Sequence, residues 1–384
     1  MNHTDTVRTQ TPRTSQREHS TPIFPTSSFV FDDAEHMRAM FADEQEGNIY
    51  SRFTNPTVAE FVQKVAAMEG AAAGVATTTG MAAGFASIMA LLRSGDHIVS
   101  SRALFGSTVA LLNQYLPRWG ITCTYVDIAD IDQWTNAIQP NTKMLLVETP
   151  SNPGLDLADL AALGALANSR GLILNVDNTF ATPMLQRPLD LGAHLVWHSA
   201  TKWFDGQGRT MGGVVVGQED LIKQVYQYCR NTGPSLSPFN AWVLSKSLET
   251  LHVRMERHSV HALTLATAIE AHSAVEFVRY PFLPSHHQYD LARQQMSAGG
   301  GIVAMCVRGG YDAATQFMDK LTLFTITANV GDTRSIVTHP ASSTHAKLTE
   351  ADRQAVGISQ GLVRLSVGLE NVEDLVRDVM QALG

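Results

Sequence analysis

Apolar and polar positions change their rhythm four times along the chain. The first 56 residues carry little regular pattern, and "STPIFPTSSF", with Pro22 and Pro25, reads as an extended arm. From Pro56 the spacing turns helical. "TVAEFVQKVAAMEG" sets Val58, Phe61, Val62 and Val65 on one face and stops at Gly70, and "MAAGFASIMALL" predicts a second, buried helix of small residues. Short runs that are apolar throughout then alternate with helical stretches such as Ser107–Leu116 and Leu157–Ser169. The runs lie at 97–101, 121–126, 143–149, 172–177, 195–199 and 213–217. Strands apolar on both faces and separated by helices predict an α/β unit with a mostly parallel sheet covered on both sides. Residues 237–272 predict a long helical region. The tail, with strand candidates at 301–307, 322–327 and 362–367 and a helix at 371–382, predicts a smaller α+β unit. The divisions expected are an arm over 1–56, a large domain over 57–250 and a C-terminal domain over 251–384.

Composition narrows the class of partner. The chain has 384 residues, 44% apolar and 17% charged, with a net charge of −8 and no basic run. Small molecules are therefore expected rather than nucleic acid or membrane. No stretch of about 18 apolar residues occurs. Residues 1–20 carry Arg8, Arg13 and Arg17 without an apolar segment, which reads as a flexible arm rather than a secretory signal. Three cysteines without a CxxC pair fit core filling and a cytoplasmic setting. Of the 14 histidines, His252, His258 and His261 share one helical stretch and His286 adjoins His287, with no HExxH-like carboxylate. Surface or subunit-contact positions are expected for them, and no metal site.

Ligands of parallel sheets bind at the carboxyl ends of the strands. That places the loops after Val147, Val176 and Trp197 in one crevice, together with Asn152, Asp177, Thr179, Ser199, Thr201 and Lys202. "TTTGMAAG" adds Thr79, Gly80 and Met81 at a helix start, where free N–H groups suit a phosphate. An anion cradle, an acid for a ring nitrogen and an amine for an aldehyde are together what pyridoxal phosphate (PLP) requires.

These residues stand in "YSRFTNPT", "TTTGMAAG", "LFGST", "VETPSNP", "NVDNTFATP", "HSATKWFDGQG", "VGDTRSIVTHPASSTH" and "VRLSVGLE". In those motifs the chain resembles the Cys/Met-metabolism family of PLP enzymes from about Ser20 to its end. The resemblance implies the aspartate aminotransferase-like fold, fold type I. It implies that Lys202 carries PLP, Asp177 pairs with the ring nitrogen, and Thr179 lies beneath the ring. Gly80, Met81, Ser199 and Thr201 would hold the phosphate. Tyr50 and Arg52 would reach it from a neighbouring subunit, within a homotetramer of shared sites. Arg364 would grip the substrate carboxylate, Asn152 would help orient the substrate or the PLP 3′-oxygen, and Ser335 would make a contact near the carboxylate. His345 would be structural, near the active-site wall.

One departure bears on the reaction. Where many members carry a tyrosine stacked on PLP, this chain has Phe105, and Ser107 stands where the family's lyases have a cysteine. "FGST" in this place resembles the family's O-succinylhomoserine sulfhydrylases. The implied reaction is γ-replacement on O-succinylhomoserine by sulfide, giving homocysteine and succinate. Cystathionine γ-synthase and O-acetylhomoserine sulfhydrylase chemistry are the alternatives, and methionine γ-lyase chemistry is disfavoured by Phe105. Arg102, Arg118 and Arg209 are candidates for the succinyl carboxylate. A PLP-binding protein without turnover is a rival of another class, against which the intact Lys202, Asp177 and Arg364 stand.

Overall fold

The computed structural model describes residues 3–346 and 349–384. The first sheet has seven strands: β1 (Ala73–Thr77), β2 (His97–Ser101), β3 (Thr122–Val126), β4 (Thr142–Glu148), β5 (Ile173–Asp177), β6 (Leu195–Ser199) and β7 (Gly213–Gly217). Their order is β1-β7-β6-β5-β4-β2-β3, and β2 to β6 run parallel. Only β7 runs against its neighbours on both sides. β4 to β7 are almost wholly buried, as continuous apolar runs between two helical layers require.

The second sheet is smaller: β8 (Val275–Arg279), β9 (Ile302–Val307), β10 (Thr325–Ile326), β11 (Ile336–Thr338) and β12 (Leu362–Ser366), in the order β10-β11-β12-β9-β8. Its core of Val303, Met305, Val363 and Leu365 is closed by Leu375 and Val379 of the C-terminal helix, Val372–Leu383. The helix Leu251–Ile269 joins the two layers. Leu251 and Met255 pack into the core of the first sheet, and Leu265 and Ile269 into that of the second.

Several expectations give way to local physics. β1, β8 and β11 have no distinct apolar run, because "AGVAT", "VEFVR" and "IVT" are short or built of small and charged residues. The run at 322–327 forms only two paired residues, both exposed. The expected helix at 237–272 is two, Pro238–Leu248 and Leu251–Ile269. At the break the Ser247 carbonyl accepts from Arg254 at 2.9 Å and from the Thr250 N–H at 3.3 Å, which offsets the interrupted helical ladder. The arm holds two short helices, His3–Arg8 and Ala34–Phe41, the second capped by Asp33 accepting the His36 N–H. The arm is also tied down, since Glu60 accepts from the N–H and hydroxyl of Thr11, each at 3.0 Å, and from Thr21.

Of the histidines expected at the surface or at subunit contacts, His287 is exposed and His252 half-buried, but three are inside. His258 and His261 are buried, and their rings bond the carbonyls of Val367 and Gly368 just beyond β12. His286 is buried as well. No helix among the described residues is long and apolar enough to cross a membrane.

Candidate active site

Three adjacent parallel strands end at one cavity. β4 ends at Glu148, β5 at Asp177 and β6 at Ser199, with Glu148 opposite Asp177 and Asp177 opposite Trp197 in register. Lys202, in the turn after β6, lines the same cavity as Asn152, Thr179, Gly80, Met81 and Phe105. Arg364 enters from β12 of the second sheet, so the cavity lies at the junction of the two layers.

Each polar group has a determinable state. The Asp177 carboxylate accepts the Thr179 N–H at 2.9 Å, and the Thr179 hydroxyl accepts the Ser199 N–H at 2.9 Å. Burial pushes the Asp177 carboxyl up to about 6, with the Thr179 hydrogen bonds and His198 opposing. Glu148 accepts the Phe105 N–H at 2.6 Å. Burial, and then the charge of Asp177, push its carboxyl well above the ordinary range. The Lys202 amine donates to Asn329 Oδ1 at 2.7 Å, and burial, assisted by Arg364, pushes it down to about 8. Arg364 donates to Asn152 Oδ1 at 2.8 Å and to the Asn329 carbonyl at 3.2 Å. Its Nε is buried with no hydrogen-bond partner among the described residues, and burial pushes the guanidinium down to about 10.

The cradle depends on close backbone approach. Thr79 caps the helix Gly80–Met89 by accepting the Ala82 N–H at 3.1 Å, which leaves the N–H groups of Gly80 and Met81 at the helix start facing the cavity. A Cβ on Gly80 would lie 2.5 Å from the Ser199 Cβ and 2.7 Å from its Cα, so only glycine fits. A Cβ on Gly213 would likewise meet the Thr79 carbonyl oxygen at 2.1 Å. Beneath this floor the buried His198 lies 2.8 Å from Glu69, which also accepts from Asn178 and so ties the helix Pro56–Glu69 to the ends of β5 and β6.

This set offers an anion cradle, a buried acid, an amine with a lowered proton affinity and a buried cation with a spare donor. The family model for Cys/Met metabolism PLP-dependent enzymes matches residues 3–384. The chain belongs to that family. It is 48% identical to an O-succinylhomoserine sulfhydrylase of Pseudomonas aeruginosa, over 98% of this chain and 94% of that one. It is 44% identical to an L-methionine gamma-lyase of Porphyromonas gingivalis, over 95% and 92% of the two chains. A crystal structure of a putative O-acetylhomoserine (thiol)-lyase from Campylobacter jejuni, which contains N'-pyridoxyl-lysine-5'-monophosphate, superposes with a TM-score of 0.96 at 33% identity and covers 99% of both chains. The fold is therefore fold type I, and the cofactor of this family member is PLP.

The residues fit that cofactor. The glycine-lined helix start suits its phosphate, Asp177 its ring nitrogen, and Lys202 its aldehyde. Of the residues named from sequence, the cavity gathers Lys202, Gly80, Met81, Phe105, Asn152, Asp177, Thr179, Ser199 and Arg364. It does not gather the others. The Thr201 hydroxyl accepts the Gly212 N–H at 3.1 Å, and Thr201 lines an adjoining depression with Asn329 and Arg209. Ser335 donates to Glu370 at 2.9 Å and accepts the Gly368 N–H at 2.9 Å, away from the cavity. Tyr50 is exposed, and Arg52 donates to the Arg230 carbonyl and lines a separate cleft. None of Arg102, Arg118 and Arg209 lines the cavity, and Arg209 is held by Asp205 at 3.1 Å. His345 is buried, and its ring meets the hydroxyl of the wall residue Thr344 at 2.8 Å.

Glu148 and Asn329 are site residues that sequence reasoning passes over. Glu148 has a usable signal, as the last residue of an apolar strand beside two others that end in polar groups. Asn329 has none, because it reaches Lys202 from a loop 127 positions away.

Proposed function

We propose that the protein catalyses γ-replacement on O-succinylhomoserine with sulfide, releasing succinate and homocysteine. The observation that carries this reading is one cavity holding the Lys202 amine, the Asp177 carboxylate and the Arg364 guanidinium, with a ring of no acid–base capacity, Phe105, on its wall. The 48% identity to a sulfhydrylase of that name supports the choice of ester.

Bound PLP supplies an electron sink for charge developing at the substrate α-carbon. The chain's residues do the rest. Arg364 takes the α-carboxylate in its fork, with Asn152 fixing the orientation of the guanidinium. The amine of Lys202, pushed down to about 8 by burial, is closer to neutrality at pH 7 than an exposed lysine, which suits it to remove the α-proton. Asp177, held by Thr179, keeps a negative charge against the ring nitrogen. Gly80, Met81 and Ser199 hold the phosphate. The Cγ–O bond breaks with succinate as leaving group, and the Cγ–S bond forms with the sulfur of hydrosulfide. Phe105 would stack on the cofactor ring and can exchange no proton, so the base assigned is Lys202.

Tyr50 and Arg52, which lie outside the cavity of their own chain, are assigned to the phosphate of a neighbouring subunit in a homotetramer. Cystathionine γ-synthase chemistry, with cysteine as nucleophile, is the second reading, since the same groups serve either thiol. The test is turnover of O-succinylhomoserine with sulfide by wild type and Lys202→Ala. The reading expects homocysteine and succinate in equal amounts from the wild type and neither from the variant. Near-wild-type turnover by Lys202→Ala overturns it.

A further inference from the structure

Glu148 is a second carboxylate in the cavity, and the reaction has no evident use for it. It ends β4 directly opposite Asp177 in the register of two parallel strands, so both side chains project to the same side. Both are buried, at 3% and 6% exposure. Two like charges in such a place cannot both be held cheaply, and one proton should stay with the pair.

The donors around them decide where it stays. Asp177 receives the Thr179 N–H at 2.9 Å and is favoured as an anion by the Thr179 hydroxyl as well. Among the described residues Glu148 receives only the Phe105 N–H. The cations that face the pair are Arg364 of β12, whose donors go to Asn152 and Asn329 rather than to either carboxylate, and Lys202, whose amine goes to Asn329. His198 stands nearer Asp177 and is bonded to Glu69. Burial raises the proton affinity of both carboxyls, and the charge of Arg364 favours the Glu148 anion. The asymmetry therefore lies in the hydrogen bonds, two from Thr179 to Asp177 against one from Phe105 to Glu148.

We propose that Glu148 is a positioning residue that stays protonated at neutral pH, fixing Phe105 through its N–H while leaving Asp177 as the single negative charge available to the ring nitrogen. The inference rests on this cavity being the PLP site of the proposed function, and neither the ester nor the thiol enters it.

Infrared difference spectroscopy of the full chain, with and without PLP, tests it apart from activity. Wild type minus Glu148→Gln at pH 7 is expected to show the carbonyl stretch of a protonated carboxylic acid, lost in the variant. Loss of carboxylate stretches instead overturns the proposal. A pH titration of the wild type alone reads the same proton without the variant, since the carbonyl band must persist above pH 7. Glu148→Gln, a neutral isostere that can still accept the Phe105 N–H, is expected to keep the wild-type cofactor absorbance and affinity within about twofold, while Glu148→Ala leaves that N–H unpaired and weakens PLP binding roughly tenfold. Equal damage from both variants overturns the proposal. A failed product assay with the infrared result intact would count against the reaction and not against the proton's location.

Discussion

The Lys202 amine donates to the side-chain oxygen of Asn329 at 2.7 Å, while the backbone carbonyl of Asn329 accepts from Arg364 at 3.2 Å. One loop residue of the second layer thus sets the positions of the base and of the carboxylate-binding arginine. Asn329→Ala is expected to lower kcat by roughly 10- to 100-fold, because the amine loses its fixed position. Asn329→Asp places a negative charge beside the amine and raises its proton affinity, so the rising acid limb of the pH–rate profile moves to higher pH. Steady-state kinetics across pH check both, and an unmoved limb would separate Asn329 from the titration of Lys202.

Gly80 allows the helix start to rest against Ser199. Gly80→Ala puts a methyl 2.5 Å from the Ser199 Cβ and 2.7 Å from its Cα, and the backbone must yield. A cost of about 1–3 kcal/mol is expected, read as a fall in PLP affinity and in the holoenzyme melting temperature. Absorbance titration of the apoenzyme with PLP measures the first and calorimetry the second.

Most of the strand framework was legible. Continuous apolar runs such as Leu195-Val196-Trp197 have no amphipathic alternative, and three of the six runs match strand bounds residue for residue. What escaped depends on tertiary contact. β1 is a strand because β7 pairs with all five of its residues, not because "AGVAT" favours extension. In the site, the strand-end rule found Asp177 and Lys202, and the resemblance supplied Arg364. Neither indicated that Thr201 bonds Gly212 or that Ser335 bonds Glu370, since both hydroxyls are taken by partners far along the chain.

One anchor of the N-terminal arm is a buried carboxylate. Glu60 accepts from Thr11, Thr21 and Ser245 and lies 3.3 Å from the fully buried Lys64 amine. Glu60→Ala removes the arm's acceptor and leaves a buried cation short of a partner. A loss of about 3–5 kcal/mol is expected. Limited proteolysis is expected to cut within residues 9–21 faster in the variant than in the wild type.

Three buried imidazoles make stability fall in acid. Burial pushes His258, His286 and His345 down to about 4. Between pH 6.5 and 4 the unfolded chain binds protons that the folded rings refuse, so stability is fully present above pH 6.5 and declines below it. The slope is about 1.4 kcal/mol per pH unit for each ring. Glu148 and Asp177, whose proton affinities are raised, act in the opposite sense. Urea unfolding at several pH values checks the direction, and His258→Asn should flatten the decline by about one ring's share.

The identity of the product tests the central claim most directly. The PLP-loaded protein is given O-succinylhomoserine, or O-acetylhomoserine in a separate reaction, with sulfide and cysteine present in equal concentration. The account predicts homocysteine and succinate, formed faster from the succinyl ester. A predominance of cystathionine, or of 2-oxobutanoate despite both thiols, would contradict it.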